Sequence, residues 1–235
     1  MKNKHTVYCG QQAGTAAGTS PELKRRSLLG GMAATTAVGG LGPLLSVIGG
    51  GAKPAAAATP DLRQALAPRI IGNPDAPLRM AEYFSLSCGH CANFHANTYP
   101  RLKAEWVDSG RLAFEYRDFP LRGPAIYAHA LARSVPEKAY ETVITLLLRQ
   151  QARWVNENAV AELAALARQV GIGNDAFLAI IQNRPLLEGI AAIAQQGYEK
   201  YDIDSTPSFV INDKTVIRGD SDYDSFVTAF AEYNI

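Results

Sequence analysis

Two cysteines three positions apart, Cys88-Gly89-His90-Cys91, follow a short apolar run and open a stretch of helical periodicity. The run, Leu78-Arg79-Met80-Ala81-Glu82-Tyr83-Phe84, reads as a strand. Beyond Gly89, the residues Phe94, Thr98, Leu102 and Trp106 recur at helical spacing, and Ser109-Gly110 ends the pattern near Asp108. Leu112-Ala113-Phe114-Glu115-Tyr116 then alternates as a second strand. If the strands are parallel, this is a right-handed βαβ unit with a cysteine pair at its first turn. Few folds accommodate that arrangement.

Positions i and i+3 share a helix face, so the two sulfurs can meet. Cys88 falls at the helix start, where unpaired backbone N–H groups and the macrodipole favour negative charge. Its pKa should therefore drop from roughly 8.5 into the approximate range 3.5–7.5. Cys91, one turn further in, is expected to be more buried and less ionised. Protonated His90 would add favourable charge near the Cys88 sulfur. A stabilised thiolate favours the reduced form and makes the disulfide more oxidising. The roles follow: Cys88 attacks or is attacked, and Cys91 resolves the mixed disulfide.

Two other uses of such a pair exist. A zinc site needs further ligands, and Cys88, Cys91 and His95 at i, i+3 and i+7 would supply three. A purely structural disulfide here would close too small a loop to stabilise much. Redox activity is the reading adopted, with no metal and no cofactor.

Elsewhere the chain splits sharply. Ser27 to Ala52 is a run of 26 residues without a charge, eight of them glycine, directly after Lys24-Arg25-Arg26. It ends at Lys53-Pro54-Ala55-Ala56-Ala57-Ala58, which offers small residues for a signal-peptidase cut. Residues 1–58 therefore read as an export signal. Arg25-Arg26-Ser27-Leu28-Leu29 resembles the twin-arginine signal, departing from it at Lys24 and Gly30. Removing this leader takes six of the 23 basic residues (Lys2, Lys4, Lys24, Arg25, Arg26, Lys53) and one of the 22 acidic ones (Glu22). Cys9 goes too, so the mature chain keeps one cysteine pair in a compartment where disulfides form. The whole chain has a net charge of +1, without the basic excess of a nucleic-acid protein.

The mature chain reads as α/β. Residues 59–77 hold four of the 13 prolines and Gly72-Asn73-Pro74-Asp75, an extended lead-in. Residues 78–122 carry the βαβ part. Residues 123–184 are helical: Pro136 and Glu137 open one helix, and Asn156 or Asn158 caps another with Val160, Leu163, Ala164, Ala167 and Val170 inward. Asn174 caps a short piece bearing Phe177, Ile180 and Ile181. From 185 to 235, Pro185 begins a long helix with Leu187, Ile190, Ala191 and Ala194 inward. Ser208–Ile211 and Thr215–Arg218 follow as a hairpin, and a closing helix spans Asp224 to Tyr233.

From about Arg69 to Ile235 the chain resembles the DsbA-like branch of the thioredoxin superfamily. The residues that carry this are Ile71-Gly72-Asn73-Pro74-Asp75-Ala76-Pro77, the strand leading to Cys88-Gly89-His90-Cys91, the helical stretch, and Thr206-Pro207 before a late strand. The resemblance implies a thioredoxin-like fold with an inserted α-helical subdomain and disulfide exchange with exported polypeptides. It implies that Thr206-Pro207 is a cis-proline loop presenting backbone to an extended substrate. It also implies that Glu82, six residues before Cys88, is a buried acid able to relay a proton to Cys91; a strand residue facing solvent is the alternative. Gly89-His90 departs from the Pro-His of the strongly oxidising member and is similar to the dipeptide of protein disulfide isomerase. The partners implied are reduced exported polypeptides and a DsbB-type membrane oxidant, or a DsbD-type reductant for an isomerase. The short lead-in before Arg69 favours a monomer. The competing class is a non-catalytic binding module on the same scaffold. His95 and His129 receive no role from the sequence.

Overall fold

The computed structural model describes residues 61–121 and 123–234. The leader expected over 1–58 lies outside the described residues. The lead-in is more structured than its prolines suggest. It contains a helical turn, α1 (Leu62–Ala65), capped by the Asp61 carboxylate, and a short strand, β1 (Arg69–Ile71). Gly72 follows at φ +89°, and a Cβ there would come within 2.7 Å of Val107. Only glycine fits that turn.

Strand β2 (Leu78–Phe84) leads to a continuous helix, α2, over 89–107. Its α-helical turns at Gly89–Asn93 and Tyr99–Leu102 alternate with π-helical turns at Phe94–Thr98 and Lys103–Val107. The spacing predicted the helix and not the two wider turns. All four residues of the predicted apolar face are buried. Gly110, at φ +78°, reverses the chain into β3 (Leu112–Asp118). β2 and β3 are parallel, with Glu82 opposite Tyr116, so the βαβ unit is present as the sequence required.

The chain then makes α3 (Gly123–Arg133), α4 (Glu137–Arg149), α5 (Gln151–Trp154), α6 (Ala159–Gln169) and α7 (Asn174–Ile181). Long helix α8 (Arg184–Tyr201) leads back to the hairpin of β4 (Ser208–Ile211) and β5 (Thr215–Arg218), and α9 (Tyr223–Ala231) closes the fold. The sheet order is β1-β3-β2-β4-β5, with β1, β4 and β5 each antiparallel to its neighbours. β2 lies in the middle of the sheet.

Alternation along β2 sends Leu78, Met80, Glu82 and Phe84 to one face, all fully buried. Helices α2 and α9 cover that face: Phe94 meets Phe209 at 4.6 Å between ring centroids, and Phe209 meets Phe226 at 4.8 Å. On the other face α8 approaches Tyr83 so closely that a Cβ on Gly197 would sit 2.3 Å from the ring. The helical insertion buries Leu131, Ile144, Leu147, Trp154, Leu163, Leu166 and Phe177. Each large aliphatic or phenyl group contributes about 1.5–3 kcal/mol by leaving water.

Several local expectations are corrected. Asn156 accepts the Asn158 N–H at 2.8 Å in a turn, and α6 begins at Ala159 without a side-chain cap. Gly173 is the cap residue of α7, while the Asn174 side chain accepts from Arg168. Val160, in the first turn of α6, and Ala191, beside the buried Ile190 on α8, are exposed rather than inward. At the start of α8, Asn183 does cap: its side-chain oxygen accepts the Leu186 N–H, with Pro185 in the first turn.

Candidate active site

Cys88 is the N-cap residue of α2, with extended backbone (φ −88°, ψ 123°). That conformation directs its sulfur at the free N–H groups of the first turn. The Cys88 thiol is lowered to about 5. The largest cause is hydrogen bonding from Cys91, which outweighs burial, and the Thr206 side chain and the backbone N–H groups of Cys91 and His90 add to it. Cys91 is fully buried, and its thiol is pushed well up by burial, by its bond to the Cys88 sulfur and by the Glu82 charge. The two sulfurs are therefore opposites. Cys88, 9% exposed, is the one solvent and ligands can reach.

The Thr206–Pro207 peptide bond is cis, and the loop lies against Cys88. In the thiol form Cys88 Sγ donates to the Thr206 carbonyl at 3.3 Å. The Thr206 hydroxyl is buried without a partner. On ionisation it becomes a donor to the thiolate, which is the direction in which it moves the pKa. His90 is exposed, and its backbone N–H, at the first turn of α2, helps lower the Cys88 thiol.

Glu82 lies beneath the pair on β2 with no solvent exposure, so the solvent-facing alternative is excluded. Its Oε2 is 2.8 Å from His95 Nε2, and its Oε1 is buried without a hydrogen-bond partner. His95 thus turns to the carboxylate rather than joining the cysteines. Among the described residues, no three His, Cys, Asp or Glu side chains converge as metal ligands.

The sequence missed how the loop before Cys88 is held. His129 on α3 accepts the Leu86 N–H through Nε2 at 3.2 Å, so its proton is on Nδ1, donated to Asp118 at 2.7 Å. Arg133 closes on the other Asp118 oxygen and reaches the Ala65 and Ala67 carbonyls at 2.9 and 3.0 Å. Burial alone would push Asp118 up; Arg133 and His129 outweigh it and hold the carboxylate below its ordinary value. From α5, the Gln151 amide donates to the Leu86 and Cys88 carbonyls at 2.7 and 2.9 Å. The helical insertion therefore fixes the cysteine loop from two sides. These contacts link residues far apart in sequence, and no local pattern announces them.

A family model described as thioredoxin matches residues 64–230. The chain belongs to this thioredoxin family. A Rickettsia bellii protein named as a protein-disulfide oxidoreductase is 27% identical over 145 residues, 61% of this chain and 56% of its own. The chain thus spans little more than half the length of that curated relative. Among solved structures, Wolbachia pipientis alpha-DsbA1 is 25% identical, with a TM-score of 0.65 over 71% of this chain and 91% of that one. A protein-disulfide isomerase from Novosphingobium aromaticivorans is also 25% identical, with a TM-score of 0.61 over 72% and 98%. The fold is thioredoxin-like, with the helices between β3 and α8 as its insertion. In this thioredoxin-family member the cysteine pair, the Thr206–Pro207 loop and the buried Glu82 converge at one end of the central strand.

Proposed function

We propose that this protein is an exported dithiol oxidase that passes its Cys88–Cys91 disulfide to reduced cysteines of exported polypeptides. The observation that carries the reading is the asymmetry of the two thiols, Cys88 at about 5 and Cys91 well above an ordinary thiol. A stabilised Cys88 thiolate favours the dithiol form, so the disulfide is a stronger oxidant. It also makes Cys88 a good leaving group.

In the reaction a substrate thiolate attacks Cys88 Sγ, the Cys88–Cys91 bond breaks, and its electron pair goes to Cys91, which takes a proton. A second substrate thiolate then attacks the substrate sulfur of the mixed disulfide. The substrate leaves with a disulfide, and Cys88 leaves as thiolate. Thr206-Pro207 is the assigned docking segment, where an extended substrate pairs through backbone and so needs no particular side-chain sequence. Glu82 exchanges the proton with Cys91. His90 takes part through its backbone N–H.

The expected leader and its twin-arginine-like residues support export to the periplasm. A DsbB-type membrane oxidant would regenerate the disulfide, and the protein would act as a monomer. The Gly89-His90 dipeptide and the likeness to the Novosphingobium isomerase favour a second reading, a disulfide isomerase kept reduced by a DsbD-type partner. The test is the redox equilibrium of the mature protein with glutathione, read by mass after thiol alkylation. A potential near or above about −180 mV supports disulfide donation, and one near about −270 mV indicates a reductase. No reversible two-electron couple would remove the catalytic reading. Oxidation rather than reshuffling of a reduced, unfolded substrate separates oxidase from isomerase.

A further inference from the structure

We propose that His95 is the proton connection between solvent and the buried Glu82 carboxylate, setting how fast Cys91 gains or loses its proton during disulfide exchange. The inference rests on the reading of Cys88 and Cys91 as the exchanging pair and goes beyond it. When a substrate thiolate opens the disulfide, the electron pair arrives on the most enclosed sulfur of the site. Cys91 is pushed strongly toward its neutral form, so a proton has to reach it.

Glu82 is the group placed to supply that proton. Its negative charge acts directly on Cys91, and its Oε1 is buried with no partner. But the Glu82 side chain is 0% exposed and cannot exchange with water by itself. Its other oxygen meets His95 Nε2 at 2.8 Å, and the His95 side chain retains 6% exposure. His95 lies four residues after Cys91, one turn along the same helix face. It falls within the π-helical turn Phe94–Thr98, and such wider turns frequently occur at functional sites. The ring is held stacked on Tyr116 at 5.6 Å and edge-on to Phe94 at 5.2 Å, which keeps Nε2 on the carboxylate.

The other titratable groups facing Glu82 do not offer the same route. Cys91 is the group served. Tyr99, Tyr116 and Tyr140 all have their hydroxyls raised, chiefly by burial, and neither gain nor lose a proton near neutrality. Tyr99 donates to Glu141 at 2.7 Å, and the Glu141 charge reaches Tyr116 as well, so that carboxylate meets the site at hydroxyls that stay protonated.

The step balances. The Cys88–Cys91 bond breaks as the bond from substrate sulfur to Cys88 forms, and the electron pair goes to Cys91 Sγ. Cys91 takes one proton from the Glu82–His95 pair, and the imidazole recovers one from water. In the reverse direction Cys91 S–H returns its proton to the pair as it attacks. Because His95 acts through Glu82, it is a positioning residue and not a catalytic one.

The experiment is the rate at which dithiothreitol opens the oxidised protein, followed by rapid alkylation across a pH series. His95→Gln, Glu82→Gln and the double variant are compared with wild type. His95→Gln can keep an N–H donor on Oε2 but neither takes up nor releases a proton near neutrality. Its opening should be slower by about a hundredfold, the lower end for a positioned proton donor. The pH dependence of the opening should flatten once the thiolate fraction of dithiothreitol is divided out. The double variant should be no slower than Glu82→Gln, and the Cys88 thiolate titration should stay near wild type. A second substitution, His95→Asn, guards against a folding artefact and should behave alike. Wild-type rate and pH profile in His95→Gln would overturn the proposal, as would additive losses in the double variant. A slow Glu82→Gln beside a normal His95→Gln would refute the His95 route while leaving the exchange reaction intact. A wild type that dithiothreitol does not reversibly reduce would instead bring down the reading beneath it.

Discussion

Two buried carboxylate–histidine pairs flank the cysteine loop, and their difference separates support from chemistry. Asp118 and His129 form one, Glu82 and His95 the other, at 2.7 and 2.8 Å. Asp118 has a hydrogen-bonding partner on each oxygen, with His129 on one and Arg133 on the other. Its histidine is committed as well, since Nε2 accepts the Leu86 N–H. Nothing in that network is free to move a proton. Glu82 has one bonded oxygen and one bare oxygen, and its charge falls on Cys91. A fully satisfied buried network rigidifies its surroundings, whereas a half-satisfied one is costly unless the open position is used. The first pair fixes the loop, and the second serves the sulfur.

The sharpest way to break this comparison is to remove each carboxylate and read stability and rate separately. Asp118→Ala leaves Arg133 buried and unpaired, so it should cost about 3–5 kcal/mol in urea denaturation. A loss below about 1 kcal/mol, the scale of an exposed pair, would mean the network does not hold the loop. The sign with pH follows from the lowered Asp118 carboxyl. Its contribution is complete above the unfolded value of about 3.9 and is lost as pH falls through the lower folded value. Acid unfolding of Asp118→Asn should therefore lack that component; an unchanged acid transition would contradict it.

Glu82→Gln should do the reverse. Opening of the Cys88–Cys91 disulfide should slow by about a hundredfold, with stability equal to wild type or higher, because a charge with a bare oxygen is gone. Lost stability with an unchanged rate would make the two pairs alike. The smallest expected effect is at the cis-proline loop. Thr206→Val removes the hydroxyl that helps hold the thiolate and should raise the Cys88 titration midpoint by about one unit, the scale of one hydrogen bond to a charged group. An unmoved midpoint would remove Thr206 from the site's electrostatics.

What the sequence made legible was local. The strand, the cysteine pair and the helix face from Phe94 to Trp106 are consecutive, and period alone ordered them. Thr206-Pro207 and Glu82 were legible only through the family resemblance, since neither residue type nor spacing identifies a cis peptide or a buried acid. The two histidines were illegible for a physical reason. His95 meets Glu82 and His129 meets Asp118 across separate elements, and which side chains meet depends on how the helices cross the sheet. Gln151, holding the Leu86 and Cys88 carbonyls from the far side of the insertion, is the extreme case. The π-helical turns of α2 leave one trace in the sequence, the strict four-residue spacing of Phe94, Thr98, Leu102 and Trp106, which is wider than the 3.6-residue α-helical period but too short a run to separate the two by itself.

The central claim is that the fold keeps Cys88 ionised while Cys91 stays protonated. It is tested most directly by the ultraviolet thiolate absorbance of the reduced protein across pH, with the oxidised protein and Cys88→Ser as references. The account predicts a single step with a midpoint of about 5, absent in Cys88→Ser, and no second thiolate through neutrality. A first step near the ordinary thiol value of about 8.5 would contradict it.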